Sequence, residues 1–343
     1  MEIELDARGV PAYVTLVERL QAAVAAGALE AGGPLPPEPD LALRFGVRPD
    51  TVRRALGHLE AEGTLTRRPD GCLYVDDAPP IPRPRRREAR PANGLLLFAR
   101  YAYPPNERGY CGPADHRSLL EQATAGVVDG RLAELARAFR GPWPYLQLMA
   151  GAAGIDDPFD LRVVEAYWVG NRLLDRVDMG DFGNALAARF RREVGPRWRY
   201  LAEWIPAGAV AHHSFHVFGV YPWVGLLDSG RGEPLEILDR CRIRWGRVRS
   251  IHGDRVVVEY RPLTWDGRRL DLGEPTVETV VRAVDGHGFV DDLRPGDWVS
   301  MHWRWICDRL DRRGLDDLRR YTLLHLEMAN VSLAHPGPAM VMG

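Results

Sequence analysis

Lysine is missing from this 343-residue chain, so all 45 of its basic residues are arginine. Such a bias fits a GC-rich genome, and it weakens any argument that a single arginine was selected for bidentate recognition. Long apolar runs are missing too. Nothing approaches the roughly 18 residues that a membrane span requires, and Met1-Glu2-Ile3-Glu4 lacks the basic start and apolar core of a secretion signal. A cytoplasmic location with no membrane partner is therefore expected. Cysteine is scarce: Cys72, Cys111, Cys241 and Cys307 are far apart and form no C-x-x-C pair, which suits a reducing compartment better than a disulfide framework. Walker A, G-x-S-x-G, H-E-x-x-H and strand-borne G-x-G-x-x-G sequences are also lacking, so the chain is read as a non-enzyme without a cofactor.

Net charge is small, −2, and residues 1–76 carry 8 arginines against 12 acidic residues. Affinity for nucleic acid must then come from local clusters rather than from overall charge. The densest pattern lies in residues 35–75. Leu41, Ala42 and Phe45 form the inner face of a short helix, and Gly46-Val47 supplies a tight corner. Val52, Ala55, Leu56 and Leu59 follow at i, i+3, i+4 and i+7, which leaves Thr51, Arg53, Arg54 and His58 facing outward. Residues 64–68 alternate towards β, Pro69-Asp70-Gly71 is turn chemistry, and residues 72–75 form the returning strand. Helix, glycine turn, helix and hairpin make a winged helix-turn-helix, whose second helix enters the major groove.

The pattern resembles the DNA-binding domain of GntR-family transcription regulators. Leu35, Pro36, Glu38, Leu41, Ala42, Phe45, Gly46, Val47, Thr51, Val52, Arg53, Ala55, Leu56, Leu59, Glu62 and Gly63 match in register. Upstream, Pro11-Ala12-Tyr13 with Val17, Leu20 and Val24 matches the family's first helix. Pro37, Pro39 and Arg48-Pro49 depart from it, replacing two arginines that usually contact DNA. The resemblance implies double-stranded DNA as partner, homodimers on pseudo-palindromes and an unidentified effector. Thr51 and Arg53 carry over as DNA contacts, and Arg48, Arg54, Arg67 and Arg68 are assigned by position. A winged helix kept only for protein binding or dimerisation is the alternative.

Residues 77–92 are a Pro/Arg-rich linker with five arginines, open to two readings: a basic arm along phosphates or a solvated hinge. Residues 93–234 are mainly helical, with a candidate helix or helix pair at 119–139 and candidate helices at 161–174 and 182–194. Phe98 to Asn106 and Gly109 to Pro113 resemble a bacterial family of unassigned function. Residues 235–311 turn to β: 242–250 and 255–260 flank the hairpin signal His252-Gly253-Asp254, and strands at 276–284 and 298–303 follow. This stretch resembles HypC-type hydrogenase maturation chaperones, small OB-like barrels. Their essential cysteine matches Cys241 and their histidine matches His302, which implies hydrogenase-assembly partners, although Cys241 is internal where theirs is N-terminal. An ordinary buried thiol is the other reading. Residues 312–343 hold a final helix in which Leu318, Tyr321, Thr322 and His325 share a face. The expected architecture is α+β and multidomain: winged helix (1–76), linker, helical domain, small barrel and terminal helix.

One further cluster is Ala211-His212-His213-Ser214-Phe215-His216. On a helix His212 and His216 share a face at i, i+4, a spacing that can grip a metal, and on a strand His212, Ser214 and His216 would, with Cys111 or His116 supplied from afar. Core packing, or the lining of an effector pocket, explains the same histidines.

Overall fold

Tyr13, Leu16, Val17 and Leu20 recur at helical spacing and bury one side of α1 (Ala12–Ala25). The computed structural model describes residues 12–25, 28–30, 32–61, 64–75, 93–195, 198–284 and 287–334. The linker expected at 77–92 lies outside the described residues, as does the side chain of His58. The chain divides into two compact units, residues 1–85 and 86–343.

In the first unit, α2 (Glu38–Phe45) opens on Pro37 and Pro39, tolerated because the first donors of a helix lack intrahelical partners. It ends at Gly46, whose φ of 65° is left-handed and whose N–H returns to the Ala42 carbonyl. α3 (Pro49–Ala61) then packs Val52, Ala55, Leu56 and Leu59 against α1 and α2. β1 (Leu65–Arg67) pairs antiparallel with β2 (Leu73–Val75), Leu65 opposite Val75 and Arg67 opposite Leu73. Residues 32–35 add a third edge: the Leu35 N–H donates to the Leu73 carbonyl at 2.7 Å and the Val75 N–H to the Gly33 carbonyl at 2.9 Å. The winged helix-turn-helix is thus present. One expectation needs correcting. Thr51 does not face outward but is 8% exposed. At about 100° per residue, Thr51, Ala55, Leu59, Val52 and Leu56 share an arc of roughly 140°, and Thr51 closes its edge.

The second unit begins with helices. α4 (Gly94–Glu107) is capped by the Asn93 side chain and runs through Pro104 and Pro105 in its last turn. Of the helix or helix pair expected at 119–139 the pair forms, α5 (His116–Ala125) and α6 (Gly130–Arg137), broken at left-handed Gly126 and restarted by the Asp129 cap. α7 (Trp143–Ala153) takes Pro144 into its first turn, where a missing N–H costs no helical bond. α8 (Leu161–Trp168), α9 (Met179–Val194) and α10 (Trp198–Trp204) follow. A short α11 (His213–Phe215) continues as a π turn to Val220, and α12 (Glu233–Cys241) leads into the sheet.

β3 (Arg244–His252), β4 (Arg255–Tyr260), β7 (Thr276–Val281), β10 (Trp298–His302) and β11 (Trp305–Arg309) close into a barrel in the order β3-β4-β7-β11-β10. Only β7 and β11 run parallel. Two small hairpins, β5 (Leu263–Trp265) with β6 (Leu270–Leu272) and β8 (Ala283–Val284) with β9 (His287–Gly288), hang from it. Gly246 is required in β3, since a Cβ there would meet Val258 Cγ1 at 2.4 Å and the Glu259 carbonyl at 2.8 Å. α13 (Arg312–Ala334) packs on α11, β3 and β6, with Leu318, Tyr321, Thr322 and His325 all buried.

Candidate nucleic-acid interface and a buried histidine–cysteine cluster

The exposed side of α3 and the wing carry the arginines singled out from the sequence, and most of them are held within the unit. Arg53, 64% exposed at its side chain, reaches Asp50 at 3.0 Å and Glu38 at 3.5 Å. Arg67 grips Glu60 through two 3.0 Å bonds and donates a third to the Gly71 carbonyl. Arg68 lies 3.9 Å over the Tyr74 ring, whose hydroxyl donates to Asp70. Arg54 is half-buried over Tyr13 at 4.2 Å, while Arg48 is exposed at the start of α3. Exposed ion pairs of this kind contribute only ~0–1 kcal/mol. Exchanging a carboxylate partner for a phosphate therefore costs little, and the face is a set of poised cations rather than a bare positive patch.

The second unit holds a different chemistry. One ligand-type atom each from His213, Cys241 and His302 lie within 4.8 Å of one another, and all three residues are buried. The barrel resemblance paired Cys241 with His302, and the structure brings these two together. The third member is His213, not His212 or His216. His212 is instead tied to Ser214, its Nδ1 2.7 Å from the hydroxyl. His216 Nδ1 lies 3.1 Å from the Tyr145 hydroxyl. The helical i, i+4 reading failed because His212 precedes the helix in extended backbone and α11 is a single turn. Cys111 and His116 lie outside the cluster.

Geometry fixes the protons of this cluster. His302 Nδ1 sits 2.6 Å from the Tyr101 carbonyl, which can only accept, so Nδ1 carries the hydrogen and Nε2 is left as a lone pair. That Nε2 is buried with no hydrogen-bond partner. His213 Nε2 lies 2.9 Å from the Cys241 carbonyl and its Nδ1 3.2 Å from the Tyr167 hydroxyl. Burial holds the His213 pKa down to about 4. It pushes His302 well below the usual imidazole range, with His213 and Arg244 adding to the drop and the Tyr101 carbonyl partly opposing it. Both rings are neutral at physiological pH. Burial also drives the Cys241 thiol upward, with Cys111 adding to it.

Two pinned segments deliver Cys241 and His302. Arg242 and Arg244, both fully buried, anchor the chain just after Cys241: Arg242 binds Asp239 at 2.8 Å and the Arg261 carbonyl at 2.6 Å, and Arg244 binds Glu278 at 2.6 Å. After His302 the β10–β11 turn places Trp303 at φ 52°, a strained value for a bulky residue. Its N–H donates to the Arg240 carbonyl at 2.8 Å and its ring stacks on Tyr110 at 4.5 Å. Trp168 packs on His213 and His302, with ring centroids at 4.7 and 5.7 Å. His213 stood inside the histidine run singled out from the sequence but was not picked there as a ligand, and Tyr101 and Tyr167 were not singled out. Nothing in local spacing marks them, since they meet only through tertiary packing.

A winged helix-turn-helix unit followed by a helix-and-barrel unit is the class these features define. The chain belongs to the family of unknown function DUF6390, which matches residues 90–336, well over half its length. Residues 12–75 match the gntR family of bacterial regulatory proteins. The HTH-type transcriptional regulator GgaR of Escherichia coli K12 is 44% identical over 63 residues, 18% of this chain and 25% of that protein, and its Shigella flexneri counterpart gives the same figures. The chain thus spans a quarter of the length of the curated relatives it matches. No solved structure matches it.

Proposed function

We propose that the chain is a DNA-binding transcription regulator that works in the cytoplasm as a homodimer. In this reading α3 enters the major groove of double-stranded operator DNA and the β1–β2 wing rests on phosphates or the minor groove. Arg48, Arg53, Arg67 and Arg68 contribute exposed cations, with Arg54 behind them. Thr51 acts from the edge of the helix core. The observation that carries the reading is the gntR-family match over residues 12–75, together with a helix, left-handed glycine, helix and hairpin in that same segment. Residues 90–336 serve dimerisation or the sensing of an effector. Among the described residues no helix is long and apolar enough to cross a membrane. Gel-shift titration against operator fragments recovered from the genome tests the proposal.

A second reading is an accessory role in [NiFe]-hydrogenase metallocentre maturation, with the barrel as an OB-like carrier and the winged helix as a docking module. One observation favours it: Cys241 and His302, matched from the chaperone pattern, meet in one buried cluster. Co-purification with hydrogenase-assembly proteins that is lost on Cys241→Ala would support it. Operator binding unchanged by that substitution, without such partners, would support the regulator alone.

A further inference from the structure

We infer that His213, Cys241 and His302 form a binding site for a single thiophilic divalent transition-metal ion of the zinc class, held by two imidazoles and one thiolate. This site belongs to the second unit alone and does not depend on whether the first unit binds DNA.

Among the described residues this is the one group of three metal-ligand side chains whose donor atoms approach so closely. A tetrahedral ion with bonds of about 2.0–2.3 Å spaces its donors about 3.4–3.6 Å apart. The cluster, with its donors within 4.8 Å, reaches that spacing with adjustments of about 1 Å. Ordinary core packing accounts poorly for His302. Buried polar atoms are nearly always paired, yet Nε2 offers a lone pair to nothing while Nδ1–H is fixed on the Tyr101 carbonyl. A ring held by one nitrogen with the other bare is the arrangement that orients a metal-ligating histidine.

The Cys241 carbonyl, which can only accept, takes the His213 Nε2–H, so Nδ1 carries that ring's lone pair beside the Tyr167 hydroxyl. His213 can therefore present a lone pair without orphaning its proton. Each ring keeps one N–H on a carbonyl, Tyr101 for His302 and Cys241 for His213, and so offers its other nitrogen as a lone pair, the form that ligates. Binding converts the Cys241 thiol to a thiolate, forming a metal–sulfur bond and releasing one proton to solvent. Two nitrogens and a sulfur, with no carboxylate in the group, select a thiophilic ion over magnesium or calcium. Three protein donors leave a position for a non-protein ligand. The bound state carries a net single positive charge, two from the ion and one opposed by the thiolate, which favours an anion there.

The test is titration of the metal-free full-length chain with Co(II), added to the native protein and also during refolding because the donors are buried. The expected result is one Co(II) per chain with a sulfur-to-cobalt charge-transfer absorption, bleached by Zn(II). Cys241→Ser should abolish that absorption, and His302→Gln should weaken uptake at least tenfold, whereas Cys111→Ser should leave both unchanged. The inference is overturned if the wild-type chain shows no charge-transfer band under either loading condition, or if the band survives in the Cys241→Ser variant. The wild-type titration can overturn it without any variant, so a substitution that prevents folding does not shield the site from disproof. Gel shifts on the same samples report the regulator reading separately.

Discussion

His302 Nδ1 lies 2.6 Å from the Tyr101 carbonyl, a bond between residues 201 positions apart that ties the first helix of the second unit to the end of barrel strand β10. A second tie lies beside it, the Tyr101 hydroxyl 2.7 Å from the Ser300 hydroxyl. Tyr101→Phe removes the second bond and keeps the first. Ser300 retains a contact to the Asp308 carbonyl, so the expected loss is about 1 kcal/mol, read as a small shift in urea midpoint with Co(II) uptake unchanged.

Breaking the ion cluster behind Cys241 should cost more. Arg244 is wholly buried against Glu278, which Arg240 also binds at 2.8 Å. Burial pulls the Glu278 pKa up, but Arg244 and Arg240 outweigh it and hold the carboxyl below its usual value. Glu278→Gln leaves two arginines short of a partner, one of them wholly buried, and should destabilise the second unit by about 3 kcal/mol. A variant within 1 kcal/mol of wild type in denaturant titration would contradict this.

Stability should also fall in mild acid. Burial lowers His216 to about 3, with His213 and Arg189 adding to the drop, and lowers His325 to about 3 against an opposing Tyr321 backbone bond. The folded chain keeps both rings neutral, whereas the unfolded chain protonates them below about pH 6.5. The unfolded state then binds more protons, so their stabilisation is complete above about pH 6.5 and declines from there towards pH 3. Each ring contributes a slope of about 1.4 kcal/mol per pH unit. Melting temperatures measured from pH 7.5 to 5 should drop, and less steeply in His216→Gln.

On the first unit, Arg53→Ala with Arg54→Ala should weaken operator binding and reduce the salt-dependence slope by about one to two, since each lost phosphate contact removes about one. Arg54 rests on Tyr13, so the single Arg54→Ala change should also lower thermal stability, whereas Arg53→Ala should not. Equal salt slopes for wild type and the double variant would count against the assigned face.

The winged helix was legible in the sequence because its information is local. Val52, Ala55, Leu56 and Leu59 announce a helix face, and Gly46 and Gly71 mark the turns. Thr51 was misplaced because an arc drawn from apolar residues alone stops one position short of the buried edge. The hairpin at His252-Gly253-Asp254 was legible for the same reason, and β3 and β4 do flank it. α4 falls in the stretch expected to be mainly helical but was not delimited, because Pro104 and Pro105 argue against a helix until the end of the element is known to lie there. His213 was missed because its partners come from α8, α12 and β10. A helical wheel drawn on residues 211–216 presumes a helix that the chain forms for only one turn.

Genome-wide capture of DNA bound to the full-length chain measures whether the winged helix selects operators. If α3 reads operator DNA, a discrete set of enriched sites sharing a two-fold related sequence is recovered, with enrichment lost when Arg53 and Arg54 are both replaced by alanine. No enriched sites, or the same sites bound equally well by that variant, would contradict that reading.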